Sequence, residues 1–405
     1  MTLLPETPDC AQLPERKSVA HEAASELSRR WHCDVDPIRL ALFWLAIERK
    51  PDGPNGISVA PLFAGWTADE WQALLNAAQD ETMLTWIVHQ LQVSVLNCPQ
   101  KLLTELAPQL STRRQWNRYL GLAALDLCQK LAAQGVDVQI LKGAPLSALL
   151  YGDASLRDVR DIDLIVSQHD LTAAARALEA MGFKCQVDLH WLNTRHFRRN
   201  LREVSFHKLG GAIEVDLHWR INNGWVGKSV NLKLNDNGPV TQIDLGKKVM
   251  RWFSIEQALA LSDANIINSH HVEMKASVDR LRLAGYVAKS PGYSKHDFPR
   301  LQFSDAMSVI EATIRRIDIM AQIAHLTPTE SARDLFSRLT IPKSEPRFFA
   351  LWARHLRRIR SVSQLVALLL AAISPALQDY MRAKNHGFAA LFVRALSRKL
   401  RNQVR

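Results

Sequence analysis

Two aspartates one residue apart, Asp161 and Asp163, sit in the run DIDLIV, and a glycine corner, Lys142-Gly143, lies upstream of them. In a strand successive side chains face opposite ways, so Asp161 and Asp163 share one face while Ile162 and Leu164 point into the core. At about 3.3 Å per residue their Cα atoms are roughly 6.6 Å apart. Their oxygens are then able to converge on a cation pair spaced roughly 3.5–4 Å, a Mg²⁺ site for phosphate chemistry. On its own an Asp-x-Asp is as often a turn cap or a solvated strand edge. The corner upstream adds a second feature, because glycine lets backbone approach a ligand and the next helix, with Pro145 in its first turn, aims free N–H groups outward. Lys142, Arg157 and Arg160 are the residues expected to offset charge on a phosphate, with the backbone of Gly143 and Ala144 at the corner beside it.

Certain elements must position these groups. The stretch from Val136 to Val166 reads as a strand (Val136 to Leu141), a sharp turn, a short helix (Pro145 to Tyr151), a polar loop and a second strand (Ile162 to Val166). A helix from Leu171 to Met181 follows, with Asp170 as its N-cap and Gly182 as its C-terminal stop. Strand, helix and strand in this rhythm predict a mixed sheet flanked by helices, an α+β fold. Val204 to Lys208 and Ile213 to Trp219 flank a glycine pair and form a predicted hairpin. In its second strand Ile213, Val215 and Leu217 share one face, and Glu214, Asp216 and His218 share the other.

The residues Leu141-Lys142-Gly143, Leu150-Tyr151, Arg157 and Asp161-Ile162-Asp163-Leu164 resemble the nucleotidyltransferases of the DNA polymerase β superfamily, and in particular a poorly characterised bacterial branch. The resemblance runs from about Val59 to Leu283. It implies a polymerase-β-like mixed sheet and Mg²⁺-dependent transfer of a nucleoside monophosphate from a nucleoside triphosphate. It also implies a third carboxylate from a neighbouring strand, and Val215-Asp216-Leu217-His218-Trp219 is similar to the acid-then-His-Trp pattern there. Asp216 is the expected third acid, joining Asp161 and Asp163 as catalytic metal ligands, with Glu214 as the alternative on the same face. The wider superfamily has Gly-Ser or Gly-Gly at the corner. This chain has Gly143-Ala144, so Lys142 or Arg157 is expected to stand in for the serine. The branch also places a histidine and an Arg-Leu pair further on, matched by His270 or His271 and by Arg280-Leu281.

The remaining chain bounds the setting. Its 405 residues, 47% hydrophobic and 22% charged, suffice for two or three domains with a full core. The expected division is a helical N-terminal region (1–115), a catalytic core (116–230), a helical domain (231–345) and a basic helical tail (346–405). Five dispersed cysteines with no Cys-x-x-Cys spacing read as reduced thiols of a cytoplasmic protein. The start, MTLLPETPDC, lacks the basic and apolar regions of a signal peptide, and the longest apolar run, Leu365 to Ile373, is shorter than the ~20 residues that span a bilayer.

Upstream of the corner the pattern is helical: Asp36 to Arg49, then a helix or helix pair from a Thr67–Glu70 capping box to Val93, then Arg113 to Ala133. Downstream, Phe253 to Ser262, Ala264 to Arg282 and the chain from Ser304 onward are expected helices. His270-His271 with Glu273 lacks the His-Glu-x-x-His spacing of a zinc site and reads as packing or substrate contact. The formal charge of +11 resides wholly in residues 346–405, where twelve Arg and Lys face one acid, Asp379. Gly387 to Val404 forms an amphipathic basic helix there, suited to an anionic surface of membrane or nucleic acid. The acceptor of the transfer is open at this level: a small molecule, a peptide, a protein or an RNA end. Two other classes fit these residues, a nucleotide-binding regulator without catalysis and a nucleic-acid or membrane-surface protein acting through the tail.

Overall fold

The computed structural model describes residues 18–31, 34–47, 59–94, 96–208, 210, 213–221, 241–244, 249–254, 257–259, 261–262 and 274–287. Contacts divide these into two compact units, one with residues 18–80 and 90–104, the other with residues 81–89 and 105–287.

The first unit is helical. Helices α1 (Val19–Trp31), α2 (Pro37–Ile47) and α3 (Ala68–Asp80), with a 3-10 turn at Ala60–Phe63, bury Leu27, Phe43, Trp44, Leu62 and Leu74. α2 is apolar on nearly every side, and its residues from Arg39 to Ile47 are all buried, so it occupies the middle of its unit. The expected capping box is present: the Thr67 N–H donates to the Glu70 carboxylate at 2.7 Å, and the Glu70 N–H donates to the Thr67 hydroxyl at 3.3 Å.

The chain continues through α4 (Leu84–Val93) and α5 (Gln100–Ala132). α5 begins well before the expected start at Arg113 and runs through Pro108. A proline withholds one backbone N–H, and in a helix of 33 residues the cooperative ladder on either side carries the chain past it.

The second unit is built on a five-stranded mixed sheet, as the α+β reading expected. Its strands are β1 (Val138–Ile140), β2 (Ile162–Val166), β3 (Phe183–Cys185), β4 (Glu203–Lys208) and β5 (Glu214–His218), in the order β1-β2-β5-β4-β3. β2 and β5 pair in parallel and the other neighbours antiparallel. All five residues of β2 are buried, the condition of a central strand covered on both faces. Ile162, Leu164 and Val166 of β2, Val215 and Leu217 of β5, and Val204 and Phe206 of β4 share one core with Leu120, Leu127 and Leu131 of α5. That core also takes Leu171, Ala174 and Leu178 of α7 (Leu171–Ala180). The predicted strand Ile162–Val166 and the predicted β4–β5 hairpin are both found; the first strand is shorter than Val136–Leu141.

The shorter described elements include α6 (Ala144–Tyr151), α8 (Arg195–Asn200) and a separate hairpin of β6 (Thr241–Asp244) and β7 (Val249–Trp252). Residues 257–259 and 261–262 are helical, within the predicted Phe253–Ser262 segment. α9 (Met274–Val287) lies in the second predicted helix and runs past its expected end at Arg282. His270, His271, the chain from Ser304 and the basic tail lie outside the described residues. Asp170 occupies the N-cap position of α7, but its side chain does not cap. Its own backbone is already helical (φ −83°, ψ −7°), whereas a capping side chain needs extended backbone to reach the second or third amide. Its carboxylate instead accepts from the Ser167 hydroxyl at 2.8 Å. Among the described residues no helix is long and apolar enough to cross a membrane.

α5 and α6 approach closely at Gly121, where an added Cβ would stand 2.8 Å from the Ala144 Cβ. A methyl there meets another methyl on rigid backbone. With the Cβ atoms at 2.8 Å the overpacking cost falls toward the upper end of about 1–3 kcal/mol, so Gly121→Ala is expected to cost up to about 2 kcal/mol net after a helix-propensity gain of about 1 kcal/mol. Urea denaturation checks this, and an unchanged or raised midpoint would contradict the tight α5–α6 contact.

Candidate active site

The sheet brings the expected acids together through register. In the parallel pair Asp163 lies directly opposite Asp216, and two residues on, Ile165 lies opposite His218. Residues opposite each other in adjacent strands project to the same face, so Asp163, Asp216 and His218 share one face of the sheet. One ligand atom from each lies within 4.8 Å of the others, the only such His/Cys/Asp/Glu group among the described residues. On the far side β4 supplies Ser205 opposite Asp216 and Glu203 opposite His218.

Asp163 is 4% exposed. A carboxylate buried to that degree needs compensation, and it receives two cations: the Lys142 ammonium 3.1 Å from Oδ2 and the His218 Nε2 3.1 Å from Oδ1. Burial would raise its pKa, but Lys142 and His218 together hold it well below the usual carboxylate range. Lys142 responds in kind: burial would lower its pKa, and the charges of Asp163 and Asp161 raise it instead. The corner that carries Lys142 is fixed to β2 by the Leu141 N–H, which donates to the Asp163 carbonyl at 2.9 Å. Gly143 has φ +80° there, a left-handed conformation that favours glycine.

His218 is bracketed by two acids. Its Nδ1 lies 3.1 Å from Glu203 Oε2, and Glu203 is in turn paired with Arg202 Nε at 3.1 Å. Burial would depress the imidazole; the hydrogen bonds to Asp163 and Glu203 overcome this and raise it to about 9. The same contact, against burial, lowers Glu203 to about 2. Asp216 behaves differently. Burial raises it to about 6, with the Ser205 hydroxyl donating at 2.6 Å as a partial offset and the charges of Asp163 and Asp161 adding to the rise. The site thus holds a permanently ionised acid beside a more basic one.

Asp161 precedes β2 and stands outside the 4.8 Å group. Burial, and then Asp163, raise its pKa, so it is coupled to the site by charge. Glu214, the alternative third acid, faces the His207 imidazole at 3.9 Å and does not line the pocket beside Asp163. That pocket is open to solvent and spans about 830 Å³ of empty space. Lys142, Arg157, Asp163, Glu203, Asp216 and His218 are among its polar lining, and Leu146, Trp252, Leu261 and Leu283 among its apolar lining. Gly143, Ala144, Arg160 and Asp161 are not in its wall. Arg157 is buried and holds Asp279 of α9 through Nε at 2.9 Å; the Tyr151 hydroxyl donates to the other oxygen of Asp279 at 2.5 Å.

Four contributors escaped the sequence reading: Glu203, Ser205, Trp252 and Asp279. Glu203 and Ser205 are recognisable only once the β4–β5 register is known. Trp252, which donates from Nε1 to the Ile140 carbonyl at 2.7 Å, and Asp279, beside the Arg280-Leu281 pair, come from segments far along the chain. The donor set suits Mg²⁺: hard carboxylate oxygens, few in number, leaving positions for phosphate oxygens and water.

Residues 67–271, about half of the chain, match the family described as an uncharacterised nucleotidyltransferase. The chain belongs to that family, which makes it a transferase. No curated protein and no solved structure matches it.

The His218 pair links folding to pH. An imidazole that titrates at about 9 when folded and near 6.5 when unfolded takes up a proton on folding between those values. Its stabilisation is full below about 6.5 and is lost as the pH rises through about 9. Urea midpoints measured at pH 6, 7.5 and 9 should fall for the wild type more steeply than for His218→Gln; parallel slopes would contradict the bracketed imidazolium.

Proposed function

We propose that the protein transfers a nucleoside monophosphate from a nucleoside triphosphate to an acceptor, by Mg²⁺-dependent chemistry of the polymerase β kind. The observation that carries this reading is the parallel register of β2 and β5, which sets Asp163 opposite Asp216 beside a pocket that also presents Lys142 and Arg157. Asp163 and Asp216, with Asp161 adjacent, would hold Mg²⁺, which when bound polarises phosphoryl oxygens and lowers the pKa of a coordinated hydroxyl.

The residues of the chain have separable tasks. Lys142 and Arg157 balance charge on the triphosphate, Lys142 from the glycine corner and Arg157 from its seat on Asp279. The apolar wall of Leu146, Trp252 and Leu283 takes the flat part of a substrate and keeps water from the reacting phosphorus. The acceptor oxygen bonds to the α-phosphorus as the bond to the pyrophosphate oxygen breaks. Asp216, at the pocket wall, is placed to receive the acceptor's proton. Little covalent chemistry falls to the protein, and positioning and electrostatics carry the rate.

The test is transfer of label from α-labelled triphosphates to components of a lysate of the source cell. Asp163→Asn and Asp216→Asn should each lower transfer on the order of 10²–10³-fold, since a metal site supplies several kcal/mol of charge stabilisation at about 1.4 kcal/mol per factor of ten. Full transfer by both variants would refute the assignment.

A further inference from the structure

His218 is one of three groups close enough to share a metal ion, yet its surroundings assign it another task. Each ring nitrogen faces a carboxylate oxygen at 3.1 Å: Nε2 faces Asp163 and Nδ1 faces Glu203. Both ring nitrogens are thus already engaged by carboxylate oxygens, one from each neighbouring strand. The geometry on either side is fixed. β4 and β5 are paired with Glu203 opposite His218, and β2 and β5 with Ile165 opposite His218, so the ring spans three adjacent strands. The Trp219 N–H extends this pairing by donating to the Arg202 carbonyl at 3.0 Å. His218 is itself only 6% exposed.

The two cations on Asp163 differ in freedom. Lys142 reaches it on a flexible stem with a third of its side chain exposed, whereas His218 is locked in the sheet and braced by Glu203, which is itself held by Arg202. A compact ammonium on a four-carbon stem can follow an incoming phosphate. The braced ring cannot.

We infer that Glu203 and His218 form a positioning pair: Glu203 orients the ring, and the ring fixes Asp163 Oδ1 so that the other carboxylate oxygen and Asp216 are presented to the cation, with His218 itself outside the coordination sphere. This rests on the proposed function for the identity of the site and adds the residues that aim its acid. Partners that orient a metal ligand from behind typically matter by about 10–100-fold in metal affinity or activity.

The experiment is EPR of the full chain with Mn²⁺ alone, together with kinetics of Glu203→Gln, a variant of the same shape that no longer offers two accepting oxygens. The bound Mn²⁺ should show no directly coordinated nitrogen. Glu203→Gln should weaken Mn²⁺ binding and lower kcat about 10-fold, with KM for the triphosphate within about 2-fold. A nitrogen coupling that disappears in His218→Gln would overturn the inference by making His218 a ligand, and wild-type Mn²⁺ affinity and kcat in Glu203→Gln would overturn it by making Glu203 dispensable. Absence of label transfer in the wild type would count against the proposed function instead, and the nitrogen coupling would still decide the role of His218. Failure of the wild type to bind Mn²⁺ at all would overturn both.

Discussion

A carboxylate with 4% exposure, Asp163, has to be balanced, and much of the second unit is arranged to do so. Its strand runs in parallel beside β5, which delivers His218 to one oxygen, while the corner after β1 delivers Lys142 to the other. Breaking either contact would leave charge uncompensated in a medium where that is costly. The consequence is that Asp163 is held the more acidic of the two, and its neighbour Asp216, lacking comparable cations, the more basic.

A second buried network ties the helices that enclose the pocket. Arg157 and Tyr151 both bind Asp279 of α9, and Arg282 one turn further on lies over the rings of Trp86 and Tyr151 at 4.5 and 4.7 Å. Arg282 also donates to the Leu150 carbonyl at 2.8 Å. α6 and α9 are thereby joined by charge and stacking as well as by apolar contact. Arg157, which the family resemblance suggests only as a phosphate-facing cation, is in this arrangement both a lining residue and a member of the network beside the pocket wall.

Local pattern made much of this legible. Alternation in DIDLIV gave β2 residue for residue, the glycine corner with Pro145 gave α6 to within a residue, and alternation beside the glycine pair gave the β4–β5 hairpin. What local pattern does not carry is pairing between distant strands. Nothing in the runs themselves says that β5 inserts next to β2 in parallel, or that Glu203 faces His218, because register is set by which apolar faces meet when the sheet assembles. Asp216 was expected from resemblance to a family and from the polar face it shares with Glu214; the reason it is the one near Asp163 is that register. α5 shows the opposite limit, a helix extended through Pro108 because its length and packing outweigh one missing hydrogen bond. Asp170, typed as a cap, fails as one because capping depends on backbone angles that residue identity does not report.

On the proposed function, Asp163 and Asp216, adjacent across a parallel strand pair, share a divalent cation when a nucleotide is present. Crystals grown with Mn²⁺ and a non-hydrolysable nucleoside triphosphate, measured at the manganese edge, answer it directly. An anomalous peak within coordination distance, about 2.0–2.4 Å, of oxygens from both aspartates is the predicted result. A peak held elsewhere in the pocket, with Lys142 and His218 still occupying both oxygens of Asp163, would contradict it.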